Sequence, residues 1–168
     1  MLNYAAVLMD CQIVPLSREL LRAHLEEILV MDRGIIGEPW QSEHYLAELP
    51  GKWQYSCLAL QGSTALGGVV ASLKASGLHL HRVVVGAAYQ GHGIGTRLVH
   101  HVACSAVEND IPLLTLKVAV ANARAIKLYR RLGFEQDGAT AENLTLSIMP
   151  RTLCDNALEN LLPDMRNA

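Results

Sequence analysis

The sequence predicts one α/β (α+β) domain: a central sheet of about six or seven strands, partly antiparallel and partly parallel, flanked by helices. Three features carry that expectation. Apolar arms at residues 53–60 and 65–73 enclose Gln61-Gly62-Ser63-Thr64, a length and composition that suit an antiparallel hairpin. The β-branched run Val83-Val84-Val85 ends at Gly86 and leads through Gly91, Gly93 and Gly95 into an apolar-striped helix. Residues 113–120 then return as a strand, so the sheet is mixed.

In chain order, residues 3–9 read as a first strand. Leu20, Leu21, His24, Leu25, Ile28 and Leu29 recur at helical spacing behind Ser17, a suitable N-cap, until Gly34 and Gly37 end the stretch. Ser42 caps a short second helix bearing Tyr45, Leu46 and Leu49, and Pro50-Gly51 stops it. The hairpin arms follow, then residues 78–85 as a central strand. Residues 96–108 form the helix striped by Leu98, Val99, Val102, Ala103 and Ala106. After the strand at 113–120, residues 122–132 make a helix closed by Gly133, and 144–149 a last strand. Residues 155–162 offer one more short helix before Pro163, with no chemistry assigned to it. The domain is placed at residues 1–150, with 151–168 as a tail.

Composition narrows the function. The 168 residues are 51% hydrophobic and 18% charged, enough apolar material for one core and too much for a disordered chain. Lys and Arg number 14 against 16 Asp and Glu, a net charge of -2, so no basic field exists to hold DNA or RNA. Every apolar run breaks well short of the about 18 residues that cross a bilayer, so no membrane partner is expected. Cys11, Cys57, Cys104 and Cys154 form no C-x-x-C pair, and no signal segment opens the chain. A cytoplasmic protein with free thiols is the expectation.

Alternate glycines between a strand and a helix let a ligand approach the backbone, and the first helical turn presents unpaired N–H groups suited to phosphate oxygens. A tight turn with no ligand has the same spacing. A nucleoside-triphosphate loop is excluded because Gly95 is followed by Thr96 and Arg97, not by Lys. A dinucleotide loop is disfavoured, since the spacing is G-x-G-x-G and residues 113–120 end without an acid.

Gln90-Gly91-His92-Gly93-Ile94-Gly95 resembles the Q/R-x-x-G-x-G/A signature of the GNAT acyl-CoA N-acyltransferases. Asn122, Ala125, Tyr129, Gly133 and Phe134 resemble that family's N-x-x-A-x-x-x-Y-x-x-x-G-F segment, at about the expected distance downstream. Together they cover residues 78–134 closely. The resemblance implies acetyl-CoA as cofactor and a GNAT fold in which the fourth and fifth strands, 78–85 and 113–120, run parallel and splay just past Val83. It implies that the amides of pantetheine pair with the backbone around Val83, Val84 and Val85, while the pyrophosphate meets the N–H groups of residues 91–96, ending at Thr96. Arg97 and Arg131 are candidates to add charge there, although helix arginines are commonly plain surface. One departure is Gly86-Ala87-Ala88, where many relatives carry Pro.

The same resemblance makes Tyr129 the general acid beside the thioester sulfur and Asn122 the partner of pantetheine. Read without it, Tyr129 is a core aromatic and Asn122 an N-cap. The base in this family is commonly a carboxylate on the fourth strand, and that strand carries none; it carries His79 and His81, two residues apart and so on one face. They stand eleven and nine residues before Gln90, and the pair is similar in position to the His-x-His of serotonin N-acetyltransferases. The plainer alternative is a half-buried pair that fills space.

The resemblance places residues 31–43 and the strand from Trp53 over the acceptor. Trp40, Trp53 and Tyr55 are candidate walls, and Asp32, Glu38 and Glu43 candidate partners for an ammonium. Cys57 is set aside as a buried hydrophobe. His79, His81, His100 and His101 lack Cys or carboxylate companions, so no metal is expected. The expected activity is acetyl transfer to the primary amine of a small molecule by direct attack. Alternatives are a peptide or protein N-terminus or lysine as acceptor, or a non-catalytic CoA-binding sensor. A homodimer is also compatible with the apolar composition.

Overall fold

The computed structural model of the chain describes residues 10–160; the strand expected over residues 3–9 lies outside them. Helix α1, Arg18–Asp32, starts as its sequence dictates, with Ser17 Oγ accepting from the Leu20 N–H at 3.1 Å. It buries Leu21, His24 and Ile28 on one stripe. Strand β1, Gln12–Pro15, precedes it. Only four residues long and closed by proline, it gives no periodic signal and was not expected.

The second helix, α2, spans Ser42–Leu46, and its N-cap is Gln41 rather than Ser42. The strand expected from Trp53 does not begin there. Lys52–Tyr55 form one helical turn, α3. Its cause is Lys52, whose buried Nζ reaches back to the carbonyls of Tyr45 and, at 2.7 Å, Ala47, satisfying groups that the end of α2 leaves open. Strand β2, Cys57–Gln61, then turns through Gly62-Ser63 into β3, Thr64–Lys74, the expected hairpin.

Strand β4, Gly77–Val85, a 3-10 turn at Ala87–Tyr89 and helix α4, Ile94–Glu108, form the expected glycine-linked unit. Strand β5, Leu114–Ala119, and helix α5, Ala123–Arg131, follow, with Asn122 Oδ1 capping α5 through the Ala125 N–H at 3.1 Å. Strand β6, Glu135–Ala139, has the sequence EQDGA, an exposed polar edge with no apolar alternation to betray it. Strand β7, Asn143–Ile148, is the expected last strand, and helix α6, Pro150–Asn160, packs on α4 with Leu153 in the core.

The seven strands run in the order β1-β2-β3-β4-β5-β7-β6, every pair antiparallel except β4 with β5. Two cores lie on the sheet. One gathers Leu98, Val99 and Val102 of α4 over Leu66, Leu78, Leu116 and Leu146; the other gathers Leu21 and Ile28 of α1 with Tyr45, Leu58, Val70 and Val84. Among the described residues, no helix is long and apolar enough to cross a membrane.

Candidate active site

Strands β4 and β5 pair at Leu78 with Leu114, His79 with Thr115 and Leu80 with Leu116, and then part. The splay therefore opens three residues before the expected Val83. Each strand stays anchored on its other side, β4 to β3 as far as Val85 and β5 to β7 as far as Ala119. The gap is a cleft of about 650 Å³, within the range of small-molecule sites. The Gly86 N–H bonds the Leu66 carbonyl of β3 at 2.9 Å, so the Val85 carbonyl, opposed across the peptide plane, points into the gap, where Gln90 Nε2 donates to it at 3.0 Å. By strand alternation the N–H groups of Val83 and Val85 face the gap as well. The Val84 side chain does not. It is buried in the α1 core.

One end of the cleft is the glycine loop. Gly91 and Gly93 sit at φ +82° and +80°, the left-handed region that other residues avoid. The first N–H of α4 with a helical partner is that of Arg97, bonded to the Gly93 carbonyl at 3.0 Å, so the preceding amides of the turn are available to an anion. Gly91, Gly93, Ile94, Gly95 and Thr96 line the cleft; His92 does not. Arg97 turns away, donating to the Cys11 carbonyl at 2.7 Å. Cationic lining comes instead from Lys117, Arg124, Lys127 and Arg131, against one carboxylate, Glu38. Arg124 Nη2 lies 3.5 Å from where a Cβ on Gly91 would stand. Arg131, expected from the sequence, lines the cleft, and Arg124 and Lys127, which were not expected, share its helix face by spacing.

The two histidines stand on β4, before the residues of its free edge. A β-bulge leaves His81 without a partner, because Val70 pairs with Arg82 while Ala71 pairs with Leu80. His81 and Arg82 consequently share one side of the sheet. His81 lines the cleft, and His79 stands behind it, ring centroids 4.8 Å apart. His81 Nε2 is 2.7 Å from Ser72 Oγ, and His79 Nδ1 is 2.8 Å from Thr115 Oγ1. Burial, then His79 and Lys74, push the His81 imidazole down to about 4, so it is neutral at physiological pH. Burial, with Lys74 and Lys117, also lowers His79.

Tyr129, buried beside Phe134 with ring centroids 5.6 Å apart, borders the cleft from α5 with Asn122 and Ala125. Among the described residues its hydroxyl has no hydrogen-bond partner. Burial raises its pKa, so the phenol keeps its proton.

Gly34, Ile35, Ile36, Gly37 and Glu38, with Arg82, also line the cleft. Arg82 went unread as a site residue, although an arginine amid a valine-rich central strand needs a buried acid. That acid is Asp32, fully buried and unavailable to a substrate ammonium. Trp40 does not line the cleft; its backbone N–H donates to Asp32 Oδ2 at 2.6 Å and its ring packs edge-on against Tyr45. Glu43 is exposed, outside the lining. Trp53 and Tyr55 are also elsewhere, because α3 replaces the expected strand. Trp53 Nε1 donates to Glu48 Oε2 at 2.9 Å, and Tyr55 is in the main core. Cys57 is fully buried, its thiol pushed up to about 12 by burial, which suits a hydrophobe and not a nucleophile.

Residues 20–134 match the model of the Acetyltransferase (GNAT) family. The chain is 29% identical over 124 residues to N-alpha-acetyltransferase 30 of Xenopus laevis, covering 71% of this chain and 44% of that one. It thus spans less than half the length of this curated relative. Its fold is that of the ribosomal-protein-S18-alanine N-acetyltransferase from Escherichia coli, with TM-score 0.70 at 19% identity over 83% of this chain and 93% of that one. It is equally that of Arabidopsis thaliana Naa50, solved with the bisubstrate analogue CoA-Ac-MVNAL, with TM-score 0.66 at 19% identity over 83% and 98%. Motif, topology and family model agree, and the chain belongs to the acetyltransferase (GNAT) family.

Proposed function

We propose that this protein is an acetyl-CoA-dependent N-acetyltransferase acting on the N-terminal α-amine of a peptide or protein. The observation that carries the reading is one cleft lined by the glycine loop and its cations, by residues 34–38, and by His81 and Tyr129. The small-molecule acceptor expected from sequence gives way to the peptide alternative, because the sequence relative is named an N-alpha-acetyltransferase. The likeness of His79 and His81 to the serotonin N-acetyltransferase pair rests on position alone.

The residues present fit the cofactor: amides of the loop and Arg124, Lys127 and Arg131 for phosphates, and the free edge at Val83 and Val85 for the pantetheine amides. Bound acetyl-CoA supplies an acetyl group activated as a thioester. His81 accepts the amine proton. With Nε2–H donating to Ser72 Oγ, its Nδ1 keeps the lone pair, and His79 backs the ring from behind. Tyr129 is the hydrogen-bond donor and proton source for the departing sulfur. Glu38 draws the ammonium, and Ile35 and Ile36 give an apolar first side chain a surface.

A histidine with so low a pKa is a weak base, which favours the acceptor with the more acidic ammonium. A peptide α-amine is about 2.5 pKa units more acidic than lysine, so its deprotonation by His81 costs roughly 3.4 kcal/mol less. The test is thiol release with acetyl-CoA over three acceptor sets: peptides with a free N-terminus, the same peptides N-formylated but carrying lysine, and small polyamines and arylalkylamines. Free N-termini are expected to lead by at least about tenfold in kcat/KM, with mass spectrometry placing the acetyl group on residue one. Preference for polyamines, or equal turnover of formylated peptides, refutes the reading.

A further inference from the structure

We propose that His100, Cys104 and Cys154 form a three-ligand Zn2+ site that fastens α6 onto α4. His100 and Cys104 stand four residues apart on α4 and so project from one face. Cys154 arrives from α6, fifty residues beyond Cys104, and the packing of the two helices sets its sulfur against them. The three ligand atoms lie within 4.8 Å of one another. These are the companions that the sequence, read linearly, did not show for His100. None of the three lines the acyl-transfer cleft, and both sulfurs are free thiols.

The distances suit a tetrahedral ion. Metal–sulfur bonds of about 2.3 Å and a metal–nitrogen bond of about 2.0–2.1 Å separate sulfur from nitrogen by about 3.5 Å and sulfur from sulfur by about 3.8 Å. Cys104 Sγ is 3.6 Å from His100 Nε2, and 2.9 Å from Cys154 Sγ. Coordination therefore needs the two sulfurs to open by under about 1 Å and Cys154 Sγ to stand about 3.5 Å from the imidazole nitrogen, which now lies no more than 4.8 Å from it, both within the reach of half-buried side chains that rotate about χ1. A disulfide would leave His100 with no part in the cluster. The imidazole at four residues' spacing is what points to a cation. Two thiolates and an imidazole select Zn2+ over Mg2+ or Ca2+, each thiol yielding its proton to solvent as its sulfur binds. All three side chains are half-buried, which leaves the fourth position to water. Bound there, the ion clamps α6 to the helix into which the glycine loop leads.

The experiment titrates the full chain, kept reduced with a phosphine, with Co2+ as a spectroscopic probe. One Co2+ per chain is expected, with thiolate-to-metal charge transfer in the near ultraviolet and the strong visible bands of a tetrahedral site, all displaced by Zn2+. Zn2+ should raise the Tm of the wild type. Cys154→Ser and His100→Gln should each weaken Co2+ binding by at least about tenfold while circular dichroism and acetyl transfer stay as in wild type. His100→Gln, a half-buried helix position, keeps the test open if the serine variant folds poorly. Absence of these bands in a fully reduced chain, or bands that survive both substitutions with undiminished affinity, overturns the proposal.

Discussion

Arg82 holds Asp32 through two parallel hydrogen bonds, Nε to Oδ1 at 2.6 Å and Nη2 to Oδ2 at 2.8 Å. The same carboxylate accepts from Tyr45 Oη at 2.6 Å and from the Trp40 N–H, so it joins the end of α1, the segment that leads into α2 and the bulged strand. Burial opposes its ionisation, but Arg82, Tyr45 and Trp40 outweigh burial and hold the carboxyl below its usual range. Removing one partner of such a pair strands the other. Asp32→Ala should cost roughly 3–5 kcal/mol in urea unfolding. Because the native pKa is depressed, this contribution is complete above the unfolded value of about 4 and fades as pH falls through the native one. A loss under about 1 kcal/mol would show that the network contributes like an exposed pair.

His81 gives a pH signature. Its neutral form persists down to about pH 4, so removal of a proton from a bound ammonium has no limb near 6.5. Wild-type kcat/KM for a peptide should be level from about pH 5 to the amine pKa near 8. His81→Gln should lower the plateau by about 10²-fold or more and convert it to a tenfold rise per pH unit, since only amine already neutral then reacts. Profiles of the same shape in both proteins would remove His81 from the chemistry.

How far the sequence discloses this site depends on whether the determinant is local. Ser17, the stripe of α1 and the run from Val83 to Gly95 encode their structure within a few residues, and each element appears as expected. The bulge at His81 is not local. It arises from the register of β3 against β4, and it reverses side-chain parity so that Arg82 joins the side of His81 while Val83 and Val85 pass to the main core. Trp53 and Tyr55 mislead for a similar reason, since the helical turn they occupy is imposed by where Lys52 finds its carbonyl partners. The zinc ligands need α6 to pack on α4, a contact between segments fifty residues apart.

Tyr129 separates packing from chemistry in one atom. Its ring contacts Phe134 and the main core, and its hydroxyl has no partner among the described residues. Tyr129→Phe keeps the ring. The Tm and the Kd for CoA should hardly change, while kcat falls by roughly 10²-fold. An unchanged kcat would leave the ring as the whole of its role.

Gly93 allows backbone strain to be distinguished from ligand contact. A Cβ built on Gly93, at φ +80°, meets nothing within 4 Å, and the same holds for Gly62, at φ +57° in the hairpin between β2 and β3. Alanine at either position pays only the left-handed backbone cost of roughly 1–2 kcal/mol, so both variants should lose similar stability in thermal unfolding. Only Gly93 borders the cleft. If its backbone lies against the cofactor phosphates, Gly93→Ala should weaken CoA binding by calorimetry at least about tenfold beyond Gly62→Ala, because the methyl group pushes the phosphates off the helix amides. Equal CoA affinities in the two variants would mean that the glycines serve the turn alone and that the phosphates are held elsewhere, with Arg124, Lys127 and Arg131 as the groups to substitute next.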